Sequence, residues 1–164
     1  MRPTNTLLRT GFVILTIAAC VQAAPAGAET LDQTLTHVFA TRGCTQEDAP
    51  ALEIYLTQSP FAGAGEPAPP YIRIEISSHP DETIHSVSLT LIQMRRDPAK
   101  PGRIARAELV EPGKDRVWLS GTIMLNEAAP GQQVSGQYDF TTPTGLALNR
   151  SFKTDYSKRN AVCG

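Results

Sequence analysis

Leu52-Glu53-Ile54-Tyr55-Leu56-Thr57 and Tyr71-Ile72-Arg73-Ile74-Glu75-Ile76 decide the fold of this 164-residue chain. In both stretches an aliphatic residue alternates with a polar or aromatic one. A period of two puts one set of side chains on a core and the other toward water, as in a half-buried β-strand. Working outward, Val87, Leu89 and Leu91 alternate with Ser88 and Thr90. A weaker run covers Ile104 to Val110, and Val117, Leu119, Gly121, Ile123 and Leu125 form the longest one. Val134 to Thr141 and Leu146 to Tyr156 complete about seven strands.

The connections are short and rich in turn residues. Pro112-Gly113-Lys114-Asp115, Pro130-Gly131 and Thr142-Pro143-Thr144-Gly145 favour antiparallel hairpins over helical crossovers. The expected fold is therefore mainly β, an antiparallel meander forming a sandwich or partly open barrel. One connection is long: Ser59 to Pro70 contains Pro60, Pro67, Pro69 and Pro70, and loops of this kind often carry function.

Ahead of the strands, Thr30-Leu31-Asp32-Gln33 has the spacing of a capping box. Leu31, Leu35, Val38 and Phe39 then fall on one helical face, and Gly43 suits a helix end. These signals predict one N-terminal helix over residues 31–42, packed on the sheet.

The first 28 residues read as a secretory signal. Arg2 and Arg9 precede or flank an apolar run from Gly11 to Ala19, and Ala26-Gly27-Ala28 offers small residues for cleavage, leaving one domain over residues 29–164. The apolar run is about ten residues, half of what a membrane-spanning helix needs. Ile17-Ala18-Ala19-Cys20 also has the form of a lipidation box, so Cys20 is a possible lipid attachment point. The expected location is periplasmic or secreted, with a membrane-anchored lipoprotein as the alternative.

Cleavage after Ala28 leaves Cys44 and Cys163 as a pair, and an oxidising compartment predicts a disulfide between them. Loss of Arg2 and Arg9 takes the formal net charge from −1 to −3. That balance argues against nucleic acid as a partner, because phosphate binding needs concentrated positive charge. Aromatic residues make up 6% of the chain, too few for a broad carbohydrate-stacking surface.

Signatures of catalysis are missing: the sequence contains no Gly-x-Ser-x-Gly elbow, His-Glu-x-x-His helix, phosphate-binding Gly-x-x-x-x-Gly-Lys loop or Cys-x-x-Cys. No cofactor is expected. His79, Asp81 and His85 lie close in sequence, but zinc generally takes three or four protein ligands, so no metal site is expected and the segment reads as an exposed loop. Glu53, Glu75, Asp139 and Asp155 fall on outward strand faces, where two of them could meet as a carboxylate pair for acid–base chemistry. Arg95, Arg96, Lys100 and Arg103, with Arg106 beyond them, form the strongest local basic excess and the candidate binding residues, suited to an anionic partner. Trp118 and Met124 share a strand face, which is expected to be packed in a two-layer core; an open face would instead make an apolar patch of the kind that marks a binding groove.

Ser120-Gly121-Thr122-Ile123, Val134-Ser135-Gly136-Gln137-Tyr138-Asp139-Phe140, Gly145, Ser151-Phe152 and the terminal Cys163 together resemble the closing strands of small bacterial exported β-domain proteins and lipoproteins of unknown function. The resemblance covers roughly residues 117–164 and departs at Arg150, where a small residue is common. It implies fold and location and carries no catalytic residue. The combined expectation is an exported, non-catalytic envelope protein that binds another envelope protein or a small ligand, with membrane contact only through a lipidated Cys20. An envelope-acting hydrolase using a carboxylate or histidine pair, and a periplasmic inhibitor or immunity protein, are the alternatives.

Overall fold

The computed structural model describes residues 31–45, 48–61, 65–79, 81–92, 103–157 and Cys163. The alternating runs form strands, and nine are found among the described residues: β1 His37–Cys44, β2 Pro50–Thr57, β3 Tyr71–Ser77, β4 Ile84–Thr90, β5 Ala105–Val110, β6 Val117–Trp118, β7 Ser120–Ala128, β8 Gln133–Thr141 and β9 Ala147–Asp155. They make two antiparallel sheets, ordered β1-β2-β3-β5-β6 and β4-β7-β8-β9. The sheets face each other across one core and are not closed into a barrel. Isolated bridges at Ala40–Tyr156 and Leu91–Ala105 stitch them at their margins.

Register explains the core. In the five-stranded sheet, Ala40, Ile54, Ile74 and Ala107 are successive cross-strand partners, as are Val38, Leu56, Ile72 and Leu109. The row meets Ile123, Leu125, Val134, Tyr138, Phe140, Leu148 and Phe152 of the other sheet in a single cluster. Ile54, Ile72, Ile74 and Ile76 are completely buried, and each contributes roughly 1.5–3 kcal/mol of transfer free energy.

Two expectations change in detail. The helix expected over residues 31–42 is one turn at residues 31–34, and from His37 onward that stretch is β1. Val38 and Phe39 satisfy a helical face equally well, but eight cross-strand pairs with β2 send them to opposite sides of a sheet. Tertiary pairing outweighs the local period. Thr30 of the capping box, Cys20 and the signal segment lie outside the described residues. The remaining turn still packs on the sandwich: Tyr138 donates to Asp32 at 2.8 Å, and Arg150 donates to the carbonyls of Asp32 and Leu35 at 3.1 and 2.8 Å.

The long run from Val117 to Leu125 changes sheets. Val117 and Trp118 pair with Leu109 and Glu108, whereas Ser120 onward pairs with β8. Leu119 is buried at the crossing, and Gly121 has φ 123° there. A Cβ at Gly121 would sit 2.0 Å from the Asp139 carbonyl oxygen, so the corner needs glycine. The meander is also interrupted at β4, which crosses to the second sheet and leaves β3 to pair with β5.

Cys44 and Cys163 form the expected disulfide, 119 residues apart. It ties the end of the chain to the end of β1.

Candidate functional site

The outer faces of the two sheets differ, although both derive from polar positions of alternating strands. On the five-stranded sheet, register places Phe39, Tyr55, Arg73, Glu108 and Trp118 in one row across all five strands. The next row is Thr41, Glu53, Glu75 and Arg106. Glu53, Glu75, Arg106 and Glu108 are nonetheless buried. Charges so placed must be paired.

Arg73 is the hub. Its guanidinium pairs closely with Glu53, lies 3.4 Å from Glu75 and reaches Glu108 at 3.7 Å. Arg106 approaches Glu75 at 3.7 Å, and Arg116 bridges Glu108 at 3.0 Å to Glu66 at 2.6 Å. Tyr55 donates to Glu53 at 3.0 Å and Tyr71 to Glu66 at 3.2 Å. Burial works against the charge of Arg73, yet Glu53 raises its pKa overall. Burial and then Glu53 raise the Tyr55 hydroxyl, while burial and Glu66 push Tyr71 up to about 12. The hydrogen bond from Arg116 holds Glu66 below the ordinary carboxylate range.

Gly43 makes room for this arrangement. A Cβ there would lie 2.1 Å from the carboxyl carbon of Glu53. Phe61 closes one end of the face, packing on Phe39 and Tyr55 at centroid distances of 5.2 and 5.4 Å. Between Arg73, Glu75, Arg106, Glu108 and Trp118 only about 10 Å³ remains, room for at most one water.

The four-stranded sheet turns an open polar face to solvent. Thr90, Thr122, Asp139 and Asn149 form one cross-strand row, and Ser88, Met124, Gln137 and Ser151 the next. A depression of about 280 Å³ lies over them, lined by Ser88, Thr122, Met124, Gln137, Asp139 and Asn149 among others. Among the described residues, the side chains of Ser88, Thr122, Asp139 and Asn149 make no hydrogen bond; Gln137 makes a long contact to the Met124 sulfur at 3.9 Å. A bulge between Leu125 and Glu127, opposite Ser86 at φ 42°, bends β7 beside the depression.

Comparison with protein families, curated proteins and solved structures finds no match. Function must be read from the chain's own geometry.

The residues singled out from the sequence are dispersed. Of the four outward carboxylates, Glu53 and Glu75 are direct cross-strand partners, whereas Asp139 and Asp155 face Asn149 and Gln133 on the other sheet. Arg103 pairs with Glu82, and Arg106 belongs to the ionic lattice. Arg95, Arg96 and Lys100 lie outside the described residues. Asp81 is taken by Arg42 at 3.0 Å, His85 is exposed on β4, and among the described residues no three metal-binding side chains converge. Trp118 and Met124, expected on one packed face, lie on the outer faces of different sheets because the strand switches at Leu119. Nothing in the local pattern marked Gln137 or Asn149, since they are ordinary outward polar positions until four strands align them.

Proposed function

We propose that this protein is an exported, non-catalytic binding domain of a bacterial envelope, and that its ligand sits on the outer face of the four-stranded sheet. The signal pattern of residues 1–28 and the Cys44–Cys163 disulfide support export, and no helix among the described residues is long and apolar enough to cross a membrane. The box ending at Cys20 makes a lipid tether to the membrane the alternative to release.

The observation that carries the binding reading is the contrast between the faces. One spends its buried charges on its own ion pairs and leaves about 10 Å³ beside Trp118; the other leaves a depression of about 280 Å³ and side chains whose polar atoms are not spent on the fold. Small-ligand sites begin at roughly this size and rely on a few convergent polar groups. A hydrolase reading lacks such support, because both members of the Glu53–Glu75 pair are buried against Arg73 and only about 10 Å³ lies free beside Glu75.

The test is affinity capture from an envelope extract with the wild-type protein and a Thr122→Ala/Asp139→Ala/Asn149→Ala variant. A molecule retained by the first and lost by the second is expected. Equal retention, or none by either, would refute the reading. The intact mass of the mature protein decides its attachment: a start at Glu29 means release, an acylated Cys20 a tether.

A further inference from the structure

We infer that the depression on the four-stranded sheet takes a neutral saccharide, an inference that rests on the binding reading above. The row Thr122-Asp139-Asn149 offers, side by side on three strands, a hydroxyl, a carboxylate and an amide. Neighbouring strands are about 4.8 Å apart, so these groups can engage successive hydroxyls along a sugar ring. A carboxylate accepts two hydrogen bonds from vicinal hydroxyls, and an amide both donates and accepts. Ser88 and Gln137 add a hydroxyl and a second amide. Met124, half-buried between them, supplies a polarizable surface for the C–H face of the ring.

Other ligand classes fit less well. Among the described residues, Asp139 is the only charged one lining the depression, so an anion would meet repulsion and a divalent cation would find a single carboxylate. An extended peptide binds through an open strand edge or through apolar side-chain pockets. β7 and β8 are interior strands whose backbone groups are already paired, and the only apolar side chain contributed by the two outward rows is Met124. A neutral polyhydroxylated ring uses what is present: exposed acceptors and donors with no fixed partner, around one apolar patch. The low aromatic content restricts the site to a short segment of glycan and to weak binding.

The experiment is titration of isotopically labelled protein, purified after export from the full-length chain, with maltotriose and with N,N′,N″-triacetylchitotriose to about 50 mM, followed by amide NMR. The expected result is a saturable shift confined to Thr122, Met124, Gln137, Asp139, Asn149 and their neighbours, weakened about tenfold by Asp139→Ala and by Asn149→Ala. Response to the amino-sugar probe alone assigns the site to amino-sugar polymers, and response to maltotriose alone to free glucans. No saturable shift with either sugar, shifts elsewhere, or shifts unchanged in both variants would overturn the inference. Unaltered amide spectra of the five-stranded sheet show that the variants are folded. If capture from an extract depends on this face while both sugars fail, the saccharide assignment falls and the binding reading stands; if capture does not depend on the face, both fall.

Discussion

Replacing Arg73 with methionine removes the cation at the centre of the buried ionic lattice while keeping most of the side chain's apolar volume. Arg73 lies against Glu53, Glu75 and Glu108, and its side chain is 19% exposed, that of Glu53 11%. At an effective dielectric constant near 20, a pair at this separation is worth about 4 kcal/mol before desolvation. Arg106 still serves Glu75 and Arg116 still serves Glu108, so Glu53 loses most. Breaking one buried pair costs about 3–5 kcal/mol, and the partial compensation places Arg73→Met near the lower end. With a urea slope of about 1.5 kcal/mol/M, the midpoint falls by about 2 M at pH 7.

Trp118, the only tryptophan, borders the lattice and reports the transition by fluorescence with the disulfide intact. Adding Glu53→Gln to Arg73→Met should restore about 1–2 kcal/mol at pH 7. A loss below about 0.5 kcal/mol would show that this lattice does not hold the face together.

Gly43→Ala should cost about 1–3 kcal/mol by displacing the Glu53 carboxylate from Arg73 and Tyr55, and most of that cost should vanish in a Glu53→Ala background, as a double-mutant cycle of urea midpoints would show. All four tyrosines have raised pKa values, Tyr71 at about 12, with burial the leading cause in each. Unfolded tyrosines ionise near pH 10, so the stability present below that point should be lost as pH climbs toward 12; ultraviolet titration should show phenolate absorbance appearing together with unfolding, not before it. Cys44→Ser with Cys163→Ser should lower stability by about 2–5 kcal/mol, read by denaturant unfolding, and the wild-type protein should show no alkylatable thiol at either position under non-reducing denaturation.

Much of the architecture can be read from alternation alone. Leu52–Thr57 and Tyr71–Ile76 specify both a strand and its buried face, because successive side chains point to opposite sides whatever the strand pairs with. The Cys44–Cys163 bridge was expected from reading the first 28 residues as a signal, which leaves these two cysteines as a pair. The segment at residues 31–42 was less legible, since Leu35, Val38 and Phe39 fit a helical face and only pairing with β2 makes His37–Cys44 a strand. The run through Val117–Leu125 reads as one strand because Leu119 and Gly121 keep the period of two while the chain passes from one sheet to the other.

The candidate site shows the same division. Outward polar positions at Glu53, Arg73, Glu75, Asp139 and Asn149 were determined by the sequence, as were the β-rich class and the disulfide. Only the tertiary structure decided that the first three interlock as buried ion pairs while the last two face solvent beside Thr122 and Gln137. The physical reason is one of range. Which side of a strand a residue occupies is set by its own backbone, whereas which residue stands 5 Å across from it depends on strand order and register, and these are chosen by the burial of the whole core.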